Sequence, residues 1–190
     1  MPDSVVWSGR TWQLVGHDGT GLFNPAEHGI PPVPLSTANW RGYLCHYDAD
    51  GGRLTLARLE VGAPPEILAR AEAGDPPQIG GVGPTFTPGS PLFTYAPSDL
   101  LVPFTGRLLL GDRFIRRLYV HMGFHPAWKY EQVVELEVRE GVIESAQDVS
   151  KTYAEIRRQE TGATSAAGSA LGRMTAWLRR LFGRSDGGGG

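Results

Sequence analysis

The fold of this chain is decided by the stretch 102–150, VPFTGRLLLGDRFIRRLYVHMGFHPAWKYEQVVELEVREGVIESAQDVS. Apolar and acidic residues alternate over Val133–Val138, which predicts a strand with one buried and one exposed face. Glu140-Gly141 then predicts a turn into a second strand over Val142–Val149. This half of the stretch is therefore typical of an antiparallel hairpin.

The other half of the stretch predicts a hairpin of its own. Apolar residues alternate from Phe104 to Leu110, and Gly111-Asp112 is a turn signal of the kind that accepts positive φ. Phe114–His121 would be the returning strand. Gly123 and Pro126 would then bend the chain before a strand that begins at Trp128.

The chain on the N-terminal side predicts two further hairpins. Ser8-Gly9-Arg10 separates the apolar runs 5–7 and 11–15, and a turn at 48–52 separates the alternating runs 40–47 and 53–61. Pro64-Pro65 indicates a short helix through Ala73. The segments 16–39 and 74–91 are rich in glycine and proline and are predicted to be loops.

About eight strands in four sequential hairpins predict a mainly β fold. We expect an antiparallel meander of hairpins that forms a partial barrel or a sandwich, followed by a C-terminal amphipathic helix. The predicted organisation is a β domain over 1–158, a flexible linker over 159–170, a helix over 171–184 and a glycine tail over 185–190.

Charge and composition restrict the classes of function. The net charge is −2, but residues 157–190 carry six arginines and two acidic residues, so this part has a charge of +4 and the remaining body about −6. An acidic body argues against nucleic-acid binding. The absence of a secretory signal or a long apolar run, together with a single cysteine, Cys45, leads us to expect a cytoplasmic protein.

The polar and aromatic cluster in the middle of the stretch offers the candidates for catalysis. His121 could act as a general base with Glu131 as its orienting partner. No nucleophile can be identified beside this pair, and no third metal ligand follows His121 and His125 at a suitable spacing, so we predict no cofactor and no metal. A structural corner, in which Trp128 packs and His121 bonds the backbone, is the favoured interpretation.

The segment 171–184, LGRMTAWLRRLFGR, predicts a basic amphipathic helix. It could bind a groove on a protein partner, pack against its own acidic body, or lie on an anionic membrane surface. Partner binding is the favoured of the three. The residues expected to make that contact are Leu171, Met174, Trp177, Leu178, Arg179, Arg180, Leu181 and Phe182.

The glycine tail resembles the tails of ubiquitin-like modifiers. That resemblance implies that the carboxylate of Gly190 could be adenylated by an activating enzyme and then conjugated to a partner. Four glycines in a row are also typical of an artificial linker.

The body resembles a family of small bacterial proteins that pairs a Trp-Arg-Gly-Tyr strand with a later Tyr-Val-His-Met-Gly segment. Here these motifs begin at Trp40 and Tyr119, and the resemblance covers roughly residues 5–150. It implies no particular activity. The sequence therefore predicts a non-enzymatic binding or adaptor protein that uses residues 171–184. The alternatives are a conjugation substrate, membrane association through the helix and, least favoured, an enzyme that uses His121 and Glu131.

Overall fold

The computed structural model describes residues 2–37, 39–121 and 125–163. The strands are β1 Ser4–Trp7, β2 Arg10–Thr20, β3 Tyr43–Asp48, β4 Thr55–Gly62, β5 Leu92–Tyr95, β6 Leu100–Leu101, β7 Thr105–Phe114, β8 Tyr130–Arg139 and β9 Val142–Asp148. The helices are α1 Pro65–Glu72 and α2 Ser150–Ala163, and short 3₁₀ turns span Pro25–His28, Arg116–Leu118 and Ala127–Lys129.

The strands form one nine-stranded sheet in the order β5-β4-β3-β1-β2-β7-β8-β9, with β6 paired to β4. All pairs are antiparallel except β1 with β3. The predicted mainly β, antiparallel fold with a C-terminal helix is thus confirmed. The strand order differs from a simple meander, because the β1–β2 hairpin lies between β3 and β7 and joins two parts of the chain that are distant in sequence.

The sheet curls so that the β8–β9 turn meets the start of β4. The Leu54 amide donates to the Gly141 carbonyl at 2.7 Å, and the Ile143 amide donates to the Gly52 carbonyl at 2.9 Å. These two bonds close one end of the sheet on itself, as in a partial barrel.

Strand β2 is longer than predicted, because residues 16–20 continue it instead of starting a loop. Gly19 lies opposite Gly106 of β7, and both residues have positive φ. A Cβ atom on Gly19 would lie 2.2 Å from the Thr105 carbonyl oxygen, so the two backbones approach in a way that only glycine allows. The glycines that suggested a loop therefore permit close strand pairing.

The predicted turn at Gly111-Asp112 is wrong, since β7 runs through both residues without a break. The predicted returning strand from Phe114 to His121 is also wrong, because residues 116–118 form a 3₁₀ turn. Strand β7 pairs with β8 instead, from Gly106 with Val138 to Phe114 with Tyr130. The hairpin of β8 and β9 is confirmed.

The sheet buries side chains on both faces. Its inner face carries the main core, which includes Val5, Trp12, Leu59, Leu108 and Leu136. A smaller cluster on the outer face joins Val15, Leu109 and Val133 to Tyr153 of α2. Helix α2 is anchored there because the Arg157 guanidinium donates to the carbonyls of Trp128 and Tyr130 at 3.0 and 2.9 Å.

The remaining predictions have mixed outcomes. Helix α1 is confirmed at the predicted place. Strand β3 begins at Tyr43 and not at Trp40, whose side chain is 72% exposed. Helix α2 extends through Ala163, into the range 159–170 that was predicted as a linker. The predicted helix over 171–184 and the glycine tail lie outside the described residues.

Candidate functional site

A cleft opens on the outer face where β2 and β7 separate. The two strands are paired from Thr20–Thr105 to Gln13–Gly111, and that pairing ends there. Two residues further on, Arg113 has φ +56, a left-handed conformation that is unusual for a residue with a side chain. The cleft encloses about 320 Å³ and is lined by Thr11, Gln13, Gly111, Asp112, Arg113, Phe114, Arg116 and Tyr130.

Tyr130 builds one wall of this cleft by crossing the strand beside it. A Cβ atom on Gly111 would lie 2.8 Å from Tyr130 Cγ, so the ring packs directly over the glycine of β7. The ring spans β7, and its hydroxyl group donates to Gln13 Oε1 of β2 at 2.6 Å. Burial raises the pKa of Tyr130 to about 12, so the phenol stays a donor at neutral pH.

The cleft carries an excess of positive charge. Arg113 and Arg116 are exposed at its rim, and within the described parts of the chain neither has a carboxylate within ion-pair distance. Asp112 is engaged by Arg10, with 3.5 Å between Nη1 and Oδ2. Guanidinium groups without a carboxylate partner beside a polar amide and an aromatic ring suit an anionic ligand.

A histidine lies among aromatic rings next to the cleft. The ring of His125 is 4.7 Å from that of Phe114 and 5.3 Å from that of Tyr119, measured between centroids. Its Nδ1 atom is buried without a hydrogen-bond partner among the described residues. Desolvation, with a smaller contribution from the charge of Lys129, lowers the pKa of His125, so the neutral form is favoured.

The two catalytic candidates from the sequence are exposed and unconnected. His121 follows the 3₁₀ turn 116–118, and Glu131 lies on β8. No hydrogen bond or ion pair joins the two side chains within the described ranges. The sequence-predicted contact residues Leu171, Met174, Trp177, Leu178, Arg179, Arg180, Leu181 and Phe182, together with Gly190, are outside those ranges.

The Trp-Arg-Gly-Tyr motif has a structural explanation. Arg41 stacks on the Tyr43 ring, with 4.1 Å from its guanidinium carbon to the ring centroid, and it also pairs with the buried carboxylate of Asp3. That carboxylate accepts the Cys45 amide at 2.8 Å. Burial, reinforced by the charge of Asp3, raises the pKa of the Cys45 thiol to about 12. These groups fix the start of β3 against β1.

A polar row on the outer face was not predicted from the sequence. Ser4 Oγ lies 2.7 Å from His46 Nδ1, and His46 Nε2 lies 3.8 Å from Glu60 Oε1. The three residues belong to β1, β3 and β4, and their proximity depends on the parallel pairing of β1 with β3. The alternation of apolar and polar residues along each strand predicts only that these three side chains point away from the core.

In residues 2–37, 39–121 and 125–163, no group of three histidine, cysteine or acidic side chains is placed to hold a metal ion. None of the described helices is long and apolar enough to span a membrane.

No protein-family model, curated protein or solved structure matches this chain.

Proposed function

We propose that the β domain is a binding protein for an anionic ligand, which it takes up in the cleft between β2 and β7. The observation that carries the proposal is the pair Arg113 and Arg116, exposed on a concave surface without carboxylate partners. The backbone of Arg113 supports the proposal further, because its left-handed conformation raises the free energy of the folded state by about 1 kcal/mol. Strain of this kind is concentrated at functional sites.

The shape and chemistry of the cleft limit the ligand. A volume of about 320 Å³ is at the lower end for small-molecule sites. Phe114 and Tyr130 offer apolar edges, and Gln13 and Thr11 offer polar contacts. A compact anion fits these features best, and a small apolar part of such a ligand would contact the two rings.

Calorimetric titration with inorganic pyrophosphate, a compact polyanion, tests the proposal. We expect saturable binding that weakens as salt is added, because the contacts are exposed charges. The double variant Arg113→Gln/Arg116→Gln should lose binding. Arg53→Gln/Arg70→Gln removes the same charge from exposed positions elsewhere and should keep it. Equal affinity in both double variants, or no binding by the unmodified protein, would overturn the proposal.

We also propose that residues 171–184 bind a protein partner, as an adaptor does. The amphipathic pattern of that segment supports this proposal. An apolar stripe with Trp177 and Phe182 beside arginines is typical of helices that bind a groove on a protein. Because the segment is basic and the body is acidic, binding of the segment to the body of its own chain is an alternative outcome.

Capture of partners from the native host tests this second proposal. The full chain is compared with a chain that ends at Ala163, which keeps α2 complete, and bound proteins are identified by mass spectrometry. Proteins lost with the tail and with Trp177→Ala/Leu181→Ala, but kept with the control Thr175→Ala, would support partner binding. A covalent adduct that requires Gly190 would support conjugation instead, and an unchanged set of proteins would contradict both.

A further inference from the structure

A line of polar side chains leads from β4 across the sheet to the cleft. Val5, Cys45 and Leu59 point into the main core, so their neighbours Ser4, His46 and Glu60 lie on the outer face. Ser4 and His46 are direct partners in the parallel β1–β3 pair. Glu60 in turn is held by Arg58, with 2.8 Å between Nη2 and Oε1. The line is thus positioned by strand pairing and not by loops.

The imidazole ring of His46 lies between the side chains of Ser4 and Glu60. Nε2 is buried and has no hydrogen-bond partner among the described residues, and the carboxylate of Glu60 is 3.8 Å from it. Ser4 Oγ lies 2.7 Å from Nδ1, within hydrogen-bond distance. In the tautomer that carries its proton on Nε2, the ring accepts the hydroxyl hydrogen of Ser4. This places a serine beside a possible general base, with a carboxylate 3.8 Å from the second ring nitrogen.

Gln13 connects this line to the cleft. The Leu14 amide donates to the Asp3 carbonyl, so the next pair, Ser4 with Gln13, is of the non-hydrogen-bonded type. Side chains of such pairs lie close together, with Cα atoms about 4.5 Å apart. The side-chain oxygen of Gln13, Oε1, already accepts the hydroxyl hydrogen of Tyr130. No hydrogen bond of the Gln13 NH₂ group is seen among the described residues, and Gln13 is the direct strand partner of Ser4.

We propose that Ser4, His46 and Gln13 form a catalytic site for the hydrolysis of small carboxylic esters, with Glu60 as a positioning residue. Ser4 is the nucleophile, His46 is the base, and the Gln13 amide donates to the oxygen anion of the tetrahedral intermediate. The preferred esters carry an anionic group that Arg113 and Arg116 bind, and this preference rests on the proposed function of the cleft.

The reaction balances within these groups and water. Ser4 Oγ bonds to the ester carbonyl carbon while its proton passes to His46 Nδ1. The bond to the leaving oxygen then breaks, and that oxygen takes the proton. Water attacks the acyl-serine and gives one proton to His46, the bond between the acyl carbon and Ser4 Oγ breaks, and the proton returns to Oγ as the carboxylic acid departs.

Covalent labelling tests the nucleophile directly. Diisopropyl fluorophosphate should phosphorylate Ser4 with loss of fluoride, and peptide mapping locates the adduct. Ser4→Ala and His46→Gln should lose the label, whereas Ser98→Ala, at an exposed serine elsewhere, should keep it. Circular dichroism confirms that each variant is folded. No label on Ser4 of the unmodified, folded protein would overturn the catalytic assignment.

Steady-state hydrolysis of p-nitrophenyl acetate and p-nitrophenyl succinate measures the other roles. Ser4→Ala should lower kcat by about 100-fold or more. Glu60→Gln should lower kcat with little change in KM, and Glu60→Asp should restore part of it, which a merely structural role would not do. Equal rates in Ser4→Ala and the unmodified protein would contradict the proposal.

The two proposals can fail separately. Arg113→Gln/Arg116→Gln should raise KM for the anionic succinate ester by a larger factor than KM for the acetate ester. If Ser4 is labelled but pyrophosphate does not bind, the ester site stands and the anionic preference fails. If pyrophosphate binds and Ser4 is unlabelled, the cleft stands as a binding site and the ester site is refuted.

Discussion

Tyr130 on β8 donates its hydroxyl hydrogen to Gln13 on β2 at 2.6 Å, across the intervening strand β7. The contact exists because Gly111 of β7 has no side chain to block the ring. It closes one wall of the cleft and also holds the side-chain amide of Gln13, the strand partner of Ser4. One hydrogen bond thus connects the packing of three strands to the geometry of both proposed sites.

Removing this hydroxyl group should weaken the fold modestly. Tyr130→Phe leaves Gln13 Oε1 without its donor, and we expect a loss of about 1 kcal/mol in the free energy of unfolding. Urea denaturation of the variant and the unmodified protein measures it. Tyr119→Phe is the control, since the Tyr119 side chain is 60% exposed. Equal losses of unfolding free energy in the two variants would show that the hydrogen bond to Gln13 does not stabilise the fold.

A methyl group at Gly111 should be costly. The Cβ atom of Gly111→Ala would lie 2.8 Å from Tyr130 Cγ and 2.9 Å from Val15 Cγ1, so ring and strand must shift. We expect destabilisation by about 1–3 kcal/mol, as for other overpacked sites. In Gly51→Ala the added atom would have nothing within 4 Å, and the midpoint of thermal unfolding should hardly change. A stable Gly111→Ala protein would contradict the close packing of Tyr130.

Loss of the Arg41 side chain should destabilise the fold, because it leaves the buried carboxylate of Asp3 without its guanidinium partner. Asp3 is buried and pairs with Arg41, so Arg41→Ala leaves a buried charge with only the Cys45 amide. We expect destabilisation of about 2 kcal/mol, reduced from the cost at fully buried pairs because Arg41 is partly exposed. Arg70→Ala removes an exposed ion pair with Asp75 and should lower the free energy of unfolding by less than about 1 kcal/mol. Chemical denaturation that ranks the two in the opposite order would refute the role given to Asp3.

Alkaline pH should destabilise the protein through Cys45. Burial raises the pKa of its thiol from 9.0 to about 12. Between these values the folded chain keeps a proton that the unfolded chain has lost, so the free energy of unfolding falls as pH rises from about 9 towards 12. Cys45→Ala should reduce this slope without abolishing it, because burial also raises the pKa of Tyr47, Tyr95, Tyr130 and Tyr153 in both proteins. Reaction of the native thiol with a disulfide reagent at pH 8, as fast as in denaturant, would contradict this burial.

Acid pH should destabilise the protein through His125. Burial lowers the pKa of His125 below 6.5, so the unfolded chain takes up a proton before the folded chain does. Stability present above pH 6.5 is therefore lost as pH falls through the pKa of the folded state. An NMR titration of the imidazole proton resonances measures that pKa, and His125→Gln should flatten the stability curve in this range. A measured pKa above 6.5 would show that the ring is charged among the aromatic side chains.

Much of the local structure follows from pattern alone. The alternation over Val133–Val138 correctly predicts β8, and Glu140-Gly141 correctly predicts the turn into β9. The prediction fails at Gly111-Asp112, where a turn signal lies inside a strand. Glycine has two uses, to turn a chain or to let another group pack against it, and the choice depends on neighbours that are distant in sequence.

The candidate sites show the same limit. Ser4, His46 and Glu60 are far apart in the chain, and each is an ordinary outward-facing residue in an alternating strand. Their contacts arise from the β1–β3 and β3–β4 registers. The cleft depends on where the pairing of β2 with β7 ends, and the left-handed backbone of Arg113 lies two residues beyond that point.

The sequence by itself determined the mainly β class, most hairpins, helix α1 and the outward orientation of the polar residues. These are properties of neighbours along the chain, where side-chain periodicity and turn chemistry act locally. Tertiary structure alone decided that β1 lies parallel to β3, that Tyr130 crosses Gly111, and that Ser4 meets His46. Those contacts join residues distant in sequence, and their free energy depends on close packing of complementary shapes that a linear pattern does not encode.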